Sequence, residues 1–175
     1  MICPVCSHDN LPGAEQCSHC LQDLTPLDRP TPHDRIERSL LEDCVAVLNP
    51  RPAVTLPPTA TVGDALRTML ERNVGALLIV DDAGKLLGIF SERDLLTKAT
   101  DDPTYAARRV DALMTPKPET VRPTDPLAFV LHKMDGGGYR HLPVVQNGRV
   151  VGMVSVRDML KHITRLCKAG CGGGT

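Results

Sequence analysis

Aromatic residues are scarce in this chain of 175 residues, which contains two Phe, two Tyr and no Trp. Proteins that bind single-stranded nucleic acid stack the bases on aromatic side chains, so this composition argues against that class of protein. The chain also lacks an excess of either sign of charge, because 20 Lys and Arg residues nearly balance 21 Asp and Glu residues. A chain without an excess of cations is not expected to bind DNA or RNA through general electrostatic attraction.

Long apolar stretches are missing as well. None approaches the ~20 apolar residues that a membrane-spanning helix needs. The first residues, MICPVC, lack the basic and apolar regions of a secretory signal peptide. We therefore expect a cytoplasmic protein that does not associate with membranes. In the cytoplasm, its seven cysteines are more often metal ligands or free thiols than disulfides.

Four of the cysteines form two CxxC pairs that are separated by ten residues. They are Cys3, Cys6, Cys17 and Cys20. Each pair places two thiolates on one side of a tight turn, and two such pairs complete a tetrahedral Zn²⁺ site. A segment this short cannot build a core, so metal binding would supply most of its folding free energy. The pattern predicts a structural zinc ribbon over residues 1–25, without an open position for a substrate.

Other interpretations of the ribbon explain less of the pattern. Unrelated thiols would not share a spacing, and a redox CxxC motif would account for only one pair. His8 and His19 could each replace a cysteine, but with four thiolates available we expect both to be exposed. We place the hairpin tip at Asn10 and residues 11–13, which favour turns. Residues 1–28 contain no Lys or Arg, so a docking or purely structural role fits better than phosphate binding.

Beyond residue 44 the chain contains an internal repeat. The segment TLPPTATVGDALRTM, which starts at Thr55, aligns with TVRPTDPLAFVLHKM, which starts at Thr120. After a turn that is one residue shorter in the second copy, GIFSERDLL from Gly88 aligns with GMVSVRDML from Gly152. A difference of one residue confined to a turn is what a duplicated unit tolerates. We divide the chain into a zinc ribbon (1–25), a linker with a short helix (26–44), two repeats (45–104 and 105–166) and a flexible tail (167–175).

Each repeat has the same order of predicted elements. A Pro-bounded extended segment precedes an amphipathic helix, and two short apolar strands joined by a turn are followed directly by a second helix. Thr61 and Asp64 suit a capping box in repeat one, and Asp125 with Pro126 supplies a cap in repeat two. A short helix is also expected near residues 36–47, ahead of the repeats. The pattern of the repeats is therefore β-α-β-β-α, twice.

This repeated unit resembles the cystathionine-β-synthase (CBS) domain pair, also called a Bateman module. The most specific segments are VGALLIVDDAGKLLGIFSERD and YRHLPVVQNGRVVGMVSVRD, and LMTPKP ahead of the second copy fits as well. The resemblance covers roughly residues 45–165. It implies an α/β (α+β) fold of two CBS repeats, a homodimer formed through their helices, and no catalytic residue.

Each repeat carries Ser-x-Arg-Asp at the start of its second helix. These residues are Ser91, Arg93 and Asp94 in repeat one, and Ser155, Arg157 and Asp158 in repeat two. A helix N-terminus attracts phosphate, an arginine adds a fork of donors, and an aspartate accepts hydrogen bonds from ribose hydroxyls. The glycine ahead of the motif would let a ligand approach the strand backbone. Ser-x-x-Asp is also a capping box that needs no ligand, and on spacing alone that interpretation is the stronger one.

The resemblance reverses this choice, because in CBS pairs the residues at these positions hold the phosphate and ribose of adenine nucleotides. It also implies two clefts, each shared between the repeats. One, the Asp94 cleft, would combine Ile89, Ser91, Arg93 and Asp94 with Thr115, Tyr139, Arg140 and His141. The other, the Asp158 cleft, would combine Met153, Ser155, Arg157 and Asp158 with Asn49, Val74, Gly75 and Ala76. We expect the Asp94 cleft to bind more tightly, since Arg140 and His141 would give it more cations.

The leading hypothesis is a non-catalytic sensor that binds AMP, ADP or ATP as a regulatory ligand and uses the ribbon, with structural Zn²⁺, to dock on a protein partner. S-adenosylmethionine or a dinucleotide would also suit such clefts. Three alternatives stay open: an interaction adaptor with weak or no nucleotide binding, a nucleic-acid regulator, and a nucleotide-processing enzyme. The enzyme has the least support, because no nucleophile–base pair is evident. Cys44 is expected to pack as a small apolar group, whereas Cys167 and Cys171 fall in the tail.

Overall fold

The computed structural model describes residues 1–11, 13–25, 32–98 and 103–170. The chain forms two compact units, Met1–Arg38 and Ser39–Thr175. Most of the predicted linker, residues 26–31, and the end of the predicted tail, which includes Cys171, lie outside the described residues. None of the helices in the described part is long and apolar enough to cross a membrane.

The first unit consists of two turns with the same backbone geometry, one for each CxxC pair. Ser7 donates its N–H to the carbonyl of Cys3 at 2.9 Å, and Leu21 donates to the carbonyl of Cys17 at 2.9 Å. Ser7 and Leu21 both adopt left-handed backbone conformations, with φ of 58° and 60°. This matched geometry brings the two halves of the ribbon into equivalent knuckles, as the repeated spacing of the cysteines predicts.

The second unit follows the predicted β-α-β-β-α order in repeat one, and in repeat two a single bridge from Val121 to Val144 replaces the first strand. The predicted mixed α/β fold class is confirmed. Repeat one contains β1 (Thr55–Leu56), α2 (Val62–Arg72), β2 (Ala76–Val80), β3 (Leu86–Ser91) and α3 (Glu92–Lys98). Repeat two contains α4 (Leu127–Gly137), β5 (His141–Gln146), β6 (Arg149–Ser155) and α5 (Val156–Gly170). The remaining elements are α1 (Arg35–Glu42), β4 (Thr115–Pro116) and 3-10 helices at Val45–Leu48, Tyr105–Ala107 and Val110–Ala112.

Each hairpin pairs with a segment from the start of the other repeat. In the first sheet the order is β1-β2-β3-β4, with β1 parallel to β2 and the other pairs antiparallel. Strand β4 therefore pairs with repeat one although it belongs to repeat two. In the second sheet, β5 and β6 pair with each other, Val121 bridges Val144, and Arg51 bridges Met153. This reciprocal exchange joins the two repeats.

The hydrophobic cores show the same exchange. Val110 and Leu113, which follow repeat one, are buried with Phe90 in the core of repeat one. Val45, at the start of repeat one, is fully buried with Leu142 in the core of repeat two. Burying an aliphatic side chain of this size contributes about 1.5–3 kcal/mol to stability. Each repeat is therefore stabilised by side chains that lie outside its own hairpin and helices.

The helix ends only partly follow the predictions. The capping box of α2 is confirmed, because Asp64 donates its N–H to Thr61 Oγ1 at 3.1 Å while Thr61 N–H donates to Asp64 Oδ2 at 3.1 Å. The cap predicted from Asp125 is wrong. Pro126 itself is the N-cap residue of α4, so Asp125 lies one position too early, and its carboxylate accepts hydrogen bonds from Arg122 instead.

Two other helices differ in length from the sequence predictions. The helix expected near residues 36–47 is interrupted, with α1 ending at Glu42 and a 3-10 helix covering Val45–Leu48. At the other end, α5 continues to Gly170, so Cys167 lies within a helix where a flexible tail was predicted. Cys44 between the first two segments is half-buried, and its backbone bridges to Pro126.

Candidate functional site

The four predicted metal ligands come together in the first unit. Their sulfur atoms all lie within 4.8 Å of one another. The Sγ atoms of Cys3 and Cys20 are 3.6 Å apart, as are those of Cys6 and Cys17. A tetrahedral Zn²⁺ with Zn–S bonds of about 2.3 Å requires sulfur atoms about 3.8 Å apart. The cluster therefore fits a tetrahedral metal ion of this size.

The backbone around the cluster favours thiolates, which are the form of cysteine that binds metal. Burial alone would raise the pKa of the Cys17 thiol, but hydrogen bonds from the N–H groups of Cys20 and His19 outweigh burial and lower it to about 6. Hydrogen bonding from the N–H of Cys6 likewise lowers the pKa of Cys3. Backbone N–H groups also donate to Cys6 and Cys20, but burial and the neighbouring thiols raise the pKa of Cys6 to about 12 and raise the pKa of Cys20. The knuckles thus supply donors to all four sulfur atoms, and the pKa is lowered for two of the four thiols.

Asn10 joins the two knuckles through its side chain, whereas the sequence predicted that it lies at the hairpin tip. Its side chain is buried. The amide nitrogen donates to the carbonyl of His8 at 3.0 Å and lies 3.6 Å from Cys17 Sγ, while Oδ1 accepts the N–H of Ser18 at 2.9 Å. His8 and His19 are exposed, as expected, and their rings stack.

In the second unit a cleft of about 880 Å³ lies between the repeats. It brings together most of the residues predicted for the Asp158 cleft: Met153, Ser155, Arg157, Asp158, Val74 and Gly75. The wall opposite the motif comes from α2 and the segment ahead of β1, and includes Val54, Leu66 and Met69. The cleft thus has one polar side at the start of α5 and one aliphatic side.

Asn49 and Ala76 do not line this cleft. Ala76 is fully buried and pairs with Ser91 inside the hairpin of repeat one, while Asn49 ends a 3-10 helix in a left-handed conformation. The position expected for Asn49 is taken by Arg51, whose carbonyl accepts the N–H of Met153 at 3.1 Å. Strand pairing makes Arg51 the counterpart of Thr115, because Arg51 bridges Met153 as Thr115 pairs with Ile89. The offset of 65 residues between Thr55 and Thr120 relates Thr115 to the neighbouring Pro50.

The Asp158 cleft is rich in cations, contrary to the expectation from the sequence. Arg140 and His141, which were assigned to the Asp94 cleft, line this one. The cationic side chains of its lining are Arg51, Arg72, Arg140, Arg157 and Lys161. Within the described part of the chain none of the five forms an ion pair or a side-chain hydrogen bond, and only two carboxylates, Glu92 and Asp158, share the lining.

Asp158 uses one carboxylate oxygen to cap α5 and leaves the other free. Oδ2 accepts the N–H of Ser155 at 2.9 Å and the hydroxyl of Ser155 at 2.6 Å. No hydrogen bond from any described residue reaches Oδ1. The side chain is half-buried and lines the cleft. The motif therefore works as a cap and presents an acceptor to a ligand at the same time.

The corresponding carboxylate of repeat one has both oxygens engaged. Asp94 Oδ2 accepts the N–H and hydroxyl of Ser91 at 2.9 and 2.7 Å. Its Oδ1 accepts from Lys98 Nζ at 2.6 Å and from Thr115 Oγ1 at 3.3 Å. Burial opposes ionisation of this carboxyl, but the hydrogen bonds from Lys98 and Ser91 outweigh burial, and the pKa of Asp94 is lowered.

The remaining residues predicted for the Asp94 cleft are only partly assembled. Arg93 Nη1 donates to the carbonyl of Gly138 at 3.1 Å, next to Tyr139. Ile89 pairs with Thr115 across β3 and β4. His141, by contrast, lines the Asp158 cleft, and its burial lowers its pKa despite the opposing carboxylates of Glu92 and Asp158.

The glycines ahead of the two motifs make room for protein backbone. A Cβ on Gly88 would collide with the side chain of Met114 and would lie 3.0 Å from the carbonyl oxygen of Thr115. One on Gly152 would lie 3.0 Å from the carbonyl oxygen of Arg51. Thr115 and Arg51 belong to the exchanged segments. These glycines therefore allow close packing of the exchanged segments, and the approach of a ligand to the strand backbone stays a prediction.

Comparison with known proteins identifies both repeats. The family model for the CBS domain matches residues 46–101 and 110–165. An uncharacterized 17.7 kDa protein of Acidianus ambivalens is 31% identical over 107 residues, which make up 61% of this chain and 64% of that protein. The chain spans less than two thirds of the length of the curated relatives it matches.

Solved structures agree with this. The CBS domain protein PAE2072 of Pyrobaculum aerophilum, complexed with AMP, is 27% identical with a TM-score of 0.63, covering 71% of this chain and 98% of that one. The CBS domain pair of protein MJ0100, in complex with 5'-methylthioadenosine and S-adenosyl-L-methionine, is 25% identical with a TM-score of 0.64, covering 70% of this chain and 96% of that one. The chain is a member of the CBS domain family, with two CBS domains in tandem.

Proposed function

We propose that this protein is a non-catalytic regulatory CBS pair that binds an adenine nucleotide in the Asp158 cleft. The observation that carries the proposal is a group of five cationic side chains and a carboxylate oxygen that have no partners among the described residues and line one cleft. Unpaired cations that face a common cleft favour an anionic ligand, and guanidinium groups match phosphate oxygens with two donors each. The related structures that contain AMP or S-adenosyl-L-methionine share an adenosine group, which supports this ligand class.

Each part of the nucleotide has a partner in the cleft. Ribose hydroxyls would donate to Asp158 Oδ1, the oxygen that the helix cap leaves free. Phosphate groups would lie near Arg157 at the N-terminus of α5, where free N–H groups and the helix dipole favour negative charge. The adenine would lie between aliphatic side chains such as Met153 and Val54, which takes the place of aromatic stacking in a chain with few aromatic residues.

Nucleotide binding would couple the two repeats. The cleft combines Gly75 of repeat one with Ser155 of repeat two, so a bound ligand contacts both. A ligand that binds one arrangement of the repeats better than another shifts the population toward it. A cytoplasmic homodimer that passes this shift to a protein partner is the simplest regulatory assembly.

The cysteine cluster would hold a structural Zn²⁺. Cys3, Cys6, Cys17 and Cys20 would supply four thiolate ligands, which leave no coordination position for a substrate. The metal would contribute folding free energy to the ribbon, whose small core is built around Cys3, Cys17 and Leu24. The absence of Lys and Arg from residues 1–28 favours a protein-facing ribbon over one that contacts nucleic acid.

Isothermal titration calorimetry with AMP, ADP, ATP and S-adenosylmethionine tests the ligand class. We expect binding by at least one adenine nucleotide, and a higher melting temperature in its presence. Asp158→Asn, which keeps the shape of the side chain, should weaken binding about tenfold or more, because a charge-assisted hydrogen bond contributes about 1.5–3 kcal/mol. If folded, zinc-loaded protein binds none of the four ligands at millimolar concentration, the proposed function is refuted and the interaction adaptor is favoured.

A further inference from the structure

The two Ser-x-Arg-Asp motifs have the same backbone geometry and different surroundings. In both, the aspartate accepts the N–H and the hydroxyl of the serine through Oδ2. The difference is confined to Oδ1. In Asp94 this atom accepts two further hydrogen bonds, whereas in Asp158 it accepts none from the described residues.

Lys98 is the residue that occupies Oδ1 of Asp94. It lies one helical turn after the aspartate in α3, and its Nζ is 2.6 Å from Oδ1. The same Nζ donates to the carbonyl of Leu113 at 2.6 Å, so the ammonium group links α3 to the segment just ahead of β4. Asp94 is 6% exposed. The carboxylate is therefore largely shielded from water, although the Lys98 side chain stays 37% exposed. The ion pair already satisfies the oxygen that a ribose hydroxyl would use.

The corresponding position of repeat two contains His162, 64 residues further along the chain. Its ring is buried and directed to other partners: Nε2 lies 2.7 Å from Ser39 Oγ, and Nδ1 lies 3.0 Å from Arg165 Nη2. Among the described residues, none takes the place of Lys98 beside Asp158. The replacement of lysine by histidine leaves the second carboxylate open.

We infer that Lys98 closes the Asp94 position with an internal cation, so that the chain binds one adenine nucleotide, in the Asp158 cleft. The inference rests on the proposed function and adds its stoichiometry and the residue that sets it. A ligand entering at Asp94 would have to displace both hydrogen bonds of Lys98, whereas a ligand at Asp158 displaces no protein contact on Oδ1. The order of affinities is therefore the reverse of the one that the sequence predicts.

The test is the number of nucleotides bound per chain, measured by calorimetric titration and equilibrium dialysis with the adenine nucleotide that binds best. We expect one per chain for the wild type. Lys98→Met, which keeps the apolar stem and removes the charge, should raise the number toward two. The matched control is Lys133→Met, because Lys133 also joins a carboxylate, Glu119, to a backbone carbonyl, Thr120. This control should leave the stoichiometry at one.

A second variant keeps the test decisive if Lys98→Met does not fold. Asp158→Asn in an otherwise wild-type chain should lose its single site, with no remaining site of similar affinity. Two nucleotides per wild-type chain, or one in folded Lys98→Met, would each overturn the role of Lys98 while keeping the proposed function. One nucleotide bound by Asp158→Asn with the affinity of the wild type would place the site outside the Asp158 cleft and would overturn both. No binding by the wild type would overturn the proposed function and the inference together.

Discussion

Gly152, ahead of the second motif, could be required for packing of the protein or for approach of a ligand, and its substitution distinguishes the two explanations. A Cβ added to Gly152 would lie 3.0 Å from the carbonyl oxygen of Arg51 and 3.0 Å from Pro50 Cβ. Contacts of 3.0 Å are tighter than ordinary van der Waals contacts, so the segment that contains Pro50 and Arg51 must move by a few tenths of an ångström. Overpacking of this kind costs about 1–3 kcal/mol. We therefore expect Gly152→Ala to destabilise the ligand-free protein by that amount.

Urea unfolding of zinc-loaded, nucleotide-free protein, followed by circular dichroism, measures this cost in the transition of the larger unit. Gly136→Ala is the matched control, because a Cβ at Gly136 in α4 meets no atom within 4 Å. An alanine in a helix interior should stabilise that variant by about 0.5–1 kcal/mol. If Gly152→Ala leaves the free energy of unfolding unchanged and lowers only nucleotide affinity, the glycine is needed for the ligand and the structural explanation is refuted.

Three further predictions concern the metal, the internal ion pair and the phosphate contacts. Cys17→Ser should release zinc, measured by a chromogenic chelator, and unfold the ribbon while the melting temperature of the CBS pair stays within a few degrees; parallel loss of both would show a shared core. The lowered pKa of Asp94 stabilises the fold above the unfolded value of about 3.9 and this stabilisation is lost as the pH falls through the folded pKa. Asp94→Asn should therefore flatten the pH dependence of unfolding below about pH 5; an unchanged slope would contradict the ion pair. Arg157→Ala should weaken ADP binding about tenfold without changing adenosine binding, whereas Arg149→Ala at the hairpin turn should change neither; equal losses for ADP and adenosine would exclude a phosphate contact.

The fold could be predicted from the sequence because its signals are local and repeated. Alternating apolar segments, turn residues and the matching segments from Thr55 and Thr120 fix the order of elements without knowledge of the packing. The capping box at Thr61 and Asp64 likewise depends on residues three positions apart. Asp125 and Pro126 were both candidates for the N-cap position of α4, and local patterns could not decide which of them caps the helix.

The candidate site depends on contacts that local patterns do not contain. Arg51 reaches the Asp158 cleft only because its segment crosses to repeat two. Arg140 lines a different cleft from the one predicted, because the start of β5 lies beside the start of α5 of its own repeat. The Asp94–Lys98 ion pair could have been predicted from the sequence, since opposite charges four residues apart on a helix face each other.

A duplicated helix cap can diverge into a ligand site in one copy and an internal brace in the other because a carboxylate has two oxygens. Capping needs only one of them, since both donors of the serine converge on Oδ2 in each repeat. The other oxygen can therefore change its partner without loss of the helix start. In repeat one it binds Lys98, which ties α3 to the segment that crosses from repeat two. In repeat two it stays free beside cations that have no partners in the described part of the chain, so the same motif serves stability in one repeat and ligand binding in the other.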